Sequence, residues 1–171
     1  GEYPSSPDST LTIDNQLYET ILNNEDYKES SFLVKNGIEY DKEKTGDTTK
    51  VTGNTTIKLY YKRIQHTATF NVAYNGGTWL DNNKADKKVQ IYYGAKVALD
   101  TYKAMKLNDF SFIGWNKDKN TEQVLEEVNM GTSDITFYAV YKKTLTATFT
   151  DSKGTTTRSV DIYNNKTSGI V

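Results

Sequence analysis

The clearest alternation of apolar and polar positions lies at 67–74. There Thr67-Ala68-Thr69-Phe70-Asn71-Val72-Ala73-Tyr74 puts Ala68, Phe70 and Val72 on one side of a strand. Three further strand patterns follow. Val89, Ile91 and Tyr93 alternate up to Gly94, Phe110 to Trp115 reads Phe-Ser-Phe-Ile-Gly-Trp, and Ile135 to Tyr141 reads Ile-Thr-Phe-Tyr-Ala-Val-Tyr. Asn75-Gly76-Gly77 is a turn signal, followed by Trp79, Leu80 and a polar loop through Lys87. Val97 and Leu99 continue the second strand or start its return. Residues 102–107 fit a short helix or an extended crossover equally. Val124, Leu125 and Val128 have helical spacing and predict about two turns of helix over 121–128. Farther upstream, polar residues on the alternate face of a strand over 55–62 predict an antiparallel or mixed sheet.

Upstream the pattern is weaker. Residues 1–10, with Pro4, Pro7 and several Ser/Thr, read as a linker. Residues 11–63 read as a small domain. Leu11-Thr12-Ile13 is a strand candidate. Leu17, Ile21 and Leu22 predict a helix from Gln16 to Asn24, with Asp14 as N-cap. Phe32-Leu33-Val34 predicts a strand that turns at Asn36-Gly37 and resumes at Ile38 and Tyr40. Residues 41–50 read as a polar loop. Thr55 to Lys62 is the clearest strand of this unit, with Ile57, Leu59 and Tyr61 on one face.

The pattern then repeats. Thr146-Ala147-Thr148-Phe149 restates Thr67-Ala68-Thr69-Phe70, and Val160-Asp161-Ile162-Tyr163 echoes Val89-Gln90-Ile91-Tyr92. The joints repeat as well: Tyr60-Tyr61-Lys62-Arg63 precedes the first copy and Val140-Tyr141-Lys142-Lys143 the second. From Phe70 to Phe149 is 79 residues and from Tyr61 to Tyr141 is 80, so two independent landmarks give one period and a tandem array. The second copy, 144–171, holds the first half of a unit only. The expected class is α+β and strand-rich, in small modules at 11–63 and 64–143 with a partial one at 144–171. Short joints between modules predict an elongated, semi-rigid array.

Composition narrows the functional classes. Mean hydropathy is −0.71, yet 13 Tyr, 6 Phe and 2 Trp supply core material for a folded chain. The net charge is −1, with interleaved signs, which disfavours a nucleic-acid partner. No apolar run is long enough to span a bilayer. With no cysteine, disulfides, thiol catalysis and cysteine metal sites are removed together.

Residues 67–142 resemble the Listeria–Bacteroides repeat, the internalin B-repeat type. The resemblance rests on Phe70 with Asn75-Gly76-Gly77, on Phe110-Ser111-Phe112-Ile113-Gly114-Trp115, and on Asp134-Ile135-Thr136-Phe137-Tyr138-Ala139. Asp109 departs from the glycine usual in the family at that place. The segment 144–171 is similar to the first half of another such repeat. The ending Val51 to Arg63 is similar to that of mucin-binding-protein-type repeats. The resemblance implies tandem β-grasp (ubiquitin-like) modules in a secreted bacterial protein anchored to the wall or membrane. It brings no catalytic, metal or cofactor residue with it.

The candidate chemistry is thin. His66, the single histidine, lies in a joint and reads as a solvated linker residue. Glu126-Glu127 are adjacent, so on a helix they point apart and cannot flank one bond. Asn75-Gly76-Gly77 lacks the Gly-Lys-Ser/Thr of a phosphate loop. Asp81, Asn82, Asn83 and Asp86 lack the spacing and bidentate Glu of a calcium loop. A Lys–Asn isopeptide crosslink is disfavoured in modules this small. Trp115, beside Gly114, reads as core, and Trp79, in a loop, as the candidate ligand-contact residue.

The expectation is a non-enzymatic stalk or adhesion-supporting segment of a cell-surface protein, without cofactor. The alternative is a module that binds a host protein or glycan through exposed loop aromatics such as Trp79. Any site is expected in the 78–88 loop and the joints, with 110–141 as architecture. The open strand edges of 144–171 predict pairing with another chain or with the first domain.

Overall fold

The computed structural model describes residues 14, 16–29, 36–104 and 109–164. The linker at 1–10, the strand candidates at 11–13 and 32–34, residues 105–107 of the undecided stretch 102–107, and 165–171 lie outside the described residues. The described chain is strand-rich with only single-turn helices, in mixed and antiparallel sheets of the α+β class.

The N-terminal unit is two small ribbons. β1 (Ile21–Asn23) is followed by a 3-10 turn, Asn24–Tyr27, then β2 (Ile38–Tyr40), α1 (Lys42–Thr45), β3 (Thr48–Lys50) and β4 (Tyr61–Arg63). β1 pairs with β3 and β2 with β4, both antiparallel. The helix expected over 16–24 does not form. Leu17 and Ile21 are 77% and 66% exposed, and 21–23 is laddered to 48–50. Asn23 and Asn24 are poor helix formers, and here both serve elsewhere. Asn23 caps the 3-10 turn, accepting from Glu25 N. Asn24 is buried, donates to Gly46 O at 3.2 Å and accepts from Thr49 Oγ1 at 2.7 Å. The expected loop at 41–50 is partly ordered instead. Asp41 caps α1 by accepting from Lys44 N at 2.9 Å, and Gly46 ends it at φ +79°. The strand expected over 55–62 is laddered only from Tyr61. Ile57 and Leu59 are half-buried around an exposed Lys58, so the alternation survives without the ladder.

The central sheet holds β5 (Gln65–Asn71), β6 (Lys87–Tyr92), β7 (Ser111–Asn116) and β8 (Ile135–Asp151) in the order β6-β5-β8-β7. The first strand of the unit thus lies beside the last, in parallel, and Ala68, Thr69, Phe70 and Asn71 face Ile135, Thr136, Phe137 and Tyr138. As the alternation at 67–74 requires, Ala68, Phe70 and Val72 are all fully buried.

The core gathers around Trp115. Its indole Nε1 donates to Tyr102 O at 2.6 Å, and its ring meets Phe70 and Phe112 edge-on at centroid distances of 5.1 and 5.2 Å. Phe70 stacks on Phe137 at 5.2 Å and on Tyr102 at 4.3 Å. Phe112 and Trp115 are three apart, so a regular strand would aim them at opposite faces. A bulge solves this. Phe112 pairs with Tyr141 and Gly114 with Val140, which leaves Ile113 as the extra residue. Gly114 sits at φ +155°, a conformation side chains disfavour.

No helix forms over 121–128. Leu125 N donates to Trp115 O and Val97 N to Val128 O, both at 2.8 Å, so the segment is tied to its neighbours in extended form. Val128 is still buried and Leu125 half-buried, but Val124 is exposed, so the spacing does not mark one inward face here.

The boundary expected at 143 is not a break. β8 runs 17 residues from Ile135 to Asp151, and its outer part pairs antiparallel with β9 (Gly154–Tyr163). No helix among the described residues is long and apolar enough to cross a membrane.

Candidate functional site

The loop between β5 and β6 carries most of the residues singled out from sequence. It begins with the Asn75-Gly76-Gly77 turn. Gly76 adopts φ +81°, Gly76 N bonds Ala73 O at 2.9 Å, and Gly77 N bonds Val72 O at 3.1 Å. Asn75 Nδ2 donates to Ala139 O at 2.8 Å, which ties the turn to β8. A Cβ on Gly77 would stand 1.7 Å from the Tyr141 hydroxyl oxygen, so Gly77 is needed for room. The turn is a packing device against β8.

Trp79 is a core residue, which corrects its expected role as an exposed ligand contact. It is 2% exposed, and its Nε1 donates to Ala85 O at 2.8 Å. Its ring lies 5.8 Å from that of Trp115, so the two tryptophans do meet, but inside the module. Lys87 Nζ caps the ring at 4.1 Å. The polar residues beyond it hold the loop. Asp81 Oδ1 accepts from Asn83 N at 3.0 Å, and Asn83 Oδ1 accepts from Ala85 N at 2.8 Å. These oxygens face the loop's own backbone. Among the described residues, no group of three or more His, Asp or Glu is placed to hold a metal ion.

His66 is not a solvated linker residue. It lies in β5 opposite Ile91, largely buried, with Nδ1 3.9 Å from Asp134 Oδ1. The Asp134 carboxylate also accepts from Thr67 N at 2.7 Å, so it caps the start of β5 from the start of β8. Glu127 pairs with Lys96 at 3.1 Å on an exposed, irregular segment. Tyr141 is buried in the sheet, and burial pushes its hydroxyl well above the usual tyrosine range.

The exposed aromatic cluster lies elsewhere. Tyr74, 48% exposed, meets Tyr138 edge-on at 5.3 Å, and Lys119 Nζ stands 5.0 Å from the Tyr74 ring. Tyr138 lies opposite Asn71 on β5 and Asn116 on β7, so two amide side chains border the rings. Asn71 Oδ1 accepts from Tyr74 N at 2.7 Å and fixes the residue that carries the outer ring. The available signal for this cluster was Tyr138, which falls on the outward parity between Phe137 and Ala139. Tyr74 gave none, because it stands in the turn where alternation ends.

Comparison of the chain with family models, curated proteins and solved structures finds no match.

Proposed function

We propose that this chain is a non-enzymatic repeat segment of a bacterial cell-surface protein. It acts outside the cell as a stalk or spacer that supports adhesion, in a protein anchored to the wall or membrane. One observation carries the reading: the landmarks of the repeat bind one another. Asn75 holds Ala139, Gly77 makes room for Tyr141, Asp134 caps Thr67, and the Gly114 bulge turns Trp115 onto Phe70. Landmarks that bind one another serve the fold of the module, and a spacer needs only that. The order β6-β5-β8-β7, with first and last strands parallel, supports a β-grasp-like module. Strand β8, which runs from one unit into the next, supports a tandem array. Small-angle X-ray scattering tests the reading. An end-to-end arrangement gives a skewed pair-distance distribution with a long tail, and a symmetric, compact distribution would sink it.

A second reading has its own observation, the Tyr74–Tyr138–Lys119 cluster. Paired rings beside a cation suit the apolar face and hydroxyls of a sugar. Retention on a glycan array, lost in Tyr74→Ala, favours this reading. No retention by either protein leaves the spacer.

A further inference from the structure

The hairpin of outer β8 and β9 stands apart from the core. Every residue from Thr144 to Val160 is exposed. Its two faces are unlike. Thr144, Thr146, Thr148 and Thr150 share one face with Ser159, Thr157 and Thr155, and this face satisfies itself. Thr146 and Ser159 hydroxyls pair at 3.0 Å, and those of Thr150 and Thr155 at 3.2 Å. The other face carries Leu145, Ala147, Phe149 and, across the ladder, Val160. It is open, with Phe149 59% exposed. A lone two-stranded ribbon is marginal in water, and this one leaves its apolar side wet.

The internal repeat identifies what belongs there. Ala147 and Phe149 are the counterparts of Ala68 and Phe70, which are fully buried in the central sheet. Val160 is the counterpart of Val89, which packs against that core. In the first copy this strand pair is completed by the closing strand Ile135–Tyr138, laid parallel along β5. Among the described residues, Thr144–Asp151 is laddered only to β9.

The backbone is aimed as this comparison requires. In an extended strand, successive N–H and C=O groups point to opposite edges. Tyr93 N donates to Ile64 O at 2.8 Å, continuing the β5–β6 ladder. Even-numbered residues of β5 therefore face β6, while Thr67, Thr69 and Asn71 face β8. Asn164 N donates to Tyr141 O at 2.9 Å, continuing the β8–β9 ladder. Odd-numbered residues here face β9, and Thr146, Thr148 and Thr150 offer their groups to the open edge. Thr146 and Thr148 are the counterparts of Thr67 and Thr69. Thus the same threonines that receive a closing strand in the first copy present free edges in the second.

The ribbon differs from its counterpart in one respect that preserves this match. Ala68 lies opposite Val89, whereas Ala147 lies opposite Arg158 and not Val160. The slip is two residues, so every side chain keeps its face. The cause is the turn. Ser152-Lys153 alone joins Asp151 to Gly154, where the first copy has the long Trp79 loop, and a two-residue turn fixes register. Arg158, directly opposite Ala147, shares the apolar face. Two copies stacked through this face would bring two such cations together, which disfavours a second copy as the occupant.

We propose that the edge Thr146–Thr150 is an acceptor for the closing strand of a further repeat of the same type. The occupant is an extended segment of the pattern Asp-Ile-Thr-Phe-Tyr-Ala, laid parallel. Its Ile stands opposite Ala147, its Thr opposite Thr148 and its Phe opposite Phe149, and its Asp caps the Thr146 N–H as Asp134 caps Thr67. Main-chain bonds supply the attraction, and the Phe149 side of the ribbon selects the sequence. This rests on the tandem-repeat reading above.

The test uses the full chain and a fluorescent peptide with the sequence of residues 133–140. Anisotropy reads binding, and amide exchange reads Thr146, Thr148 and Thr150. Saturable binding with slowed exchange at these three amides is expected. Phe149→Asp, on an exposed ribbon, should weaken binding at least about tenfold while leaving the near-ultraviolet signal of Trp79 and Trp115 intact. A peptide with its Asp replaced by Ala should bind more weakly, and a scrambled peptide not at all. In a second arm, residues 94–143 are appended after Val171 to deliver the strand in cis. The same amides should become protected, and Phe149→Asp should undo this. The proposal is overturned if neither arm protects these amides, or if protection survives Phe149→Asp. Self-association abolished by Phe149→Asp, without peptide binding, overturns it in favour of a second copy. An elongated scattering profile with protection in neither arm would defeat the acceptor and leave the spacer standing. A compact profile with protection in either arm, lost in Phe149→Asp, would do the reverse.

Discussion

Two glycines hold the central unit in shape, for different reasons. Gly114 is required by conformation: at φ +155° it forms the bulge that places Phe112 and Trp115 on one face. An added Cβ would also stand 2.8 Å from Val124 Cγ1 and 2.9 Å from Val124 Cβ, so conformation and contact both oppose a side chain there. Gly114→Ala is expected to cost about 1–3 kcal/mol by denaturant unfolding. Val124→Gly removes both contacting atoms, and little recovery in the Gly114→Ala/Val124→Gly double variant, relative to Val124→Gly alone, assigns the cost to backbone strain. Full recovery would assign the cost to the contact instead. Gly77 is required by space. Its Cβ would lie 1.7 Å from the Tyr141 hydroxyl oxygen and 2.4 Å from Cζ, on a ring locked in the core. Gly77→Ala should destabilise by about 1–3 kcal/mol, and Tyr141→Phe should relieve part of this in a double-mutant cycle. Additive effects would show that the loop shifts rather than the ring.

At the scale of elements, alternation in the sequence was a reliable guide where a strand is half-buried and long. β5, β6 and the inner part of β8 follow from Ala68-Phe70-Val72, Val89-Ile91 and Phe137-Ala139. Helical spacing misled where it rested on few apolar residues, as at 16–24 and 121–128, because hydrogen bonds to distant strands decided the conformation there. The bulge in β7 was hidden, since Phe-Ser-Phe-Ile-Gly-Trp reads as regular until its partner's register is known. The candidate site was less legible still. A loop tryptophan carries no mark of whether it folds inward, and Trp79 does so because Ala85 O accepts its indole and Trp115 receives its ring. At the root of the exposed ribbon, Asp161 accepts from the Thr144 hydroxyl at 2.6 Å and from Lys142 Nζ at 3.1 Å. These bonds, the Thr144 one first, hold its carboxyl below the usual aspartate value of 3.8. A depressed carboxylate stabilises the fold above its unfolded pKa, and that contribution is lost as pH falls through the folded one. Ribbon amides should therefore exchange faster, after correction for intrinsic rates, as pH is lowered below 3.8. Asp161→Asn should flatten this dependence, and a slope unchanged by the substitution would place the titration elsewhere.

For the whole molecule, a spacer function depends on whether orientation is transmitted through the joints. At the first, Ile64 alone separates β4 from β5. Its N–H donates to Gly37 O at 2.9 Å and its C=O accepts from Tyr93 N at 2.8 Å, so both flanking units grip the same residue. The second joint has no break in the strand, and one buried side chain secures it. Asn164 Oδ1 accepts from Tyr141 N at 2.9 Å, and Asn164 Nδ2 donates to Thr121 O at 3.0 Å. Asn164 adopts φ +47°, which asparagine tolerates better than most residues. Two substitutions separate these contributions. Asn164→Gly keeps the backbone conformation and removes both amide bonds, leaving the buried Tyr141 N–H without its partner, at a cost of about 1–3 kcal/mol. Asn164→Ala removes the bonds and adds strain. If the amide is the clamp, both variants should lower the heteronuclear NOE of 144–160 to a similar extent while the Phe70, Trp115 and Phe137 signals stay in place. If only Asn164→Ala loosens the ribbon, conformation is what matters there. If neither does, the stiffness of the joint resides in the continuous strand itself, and any repeat that keeps that continuity inherits it.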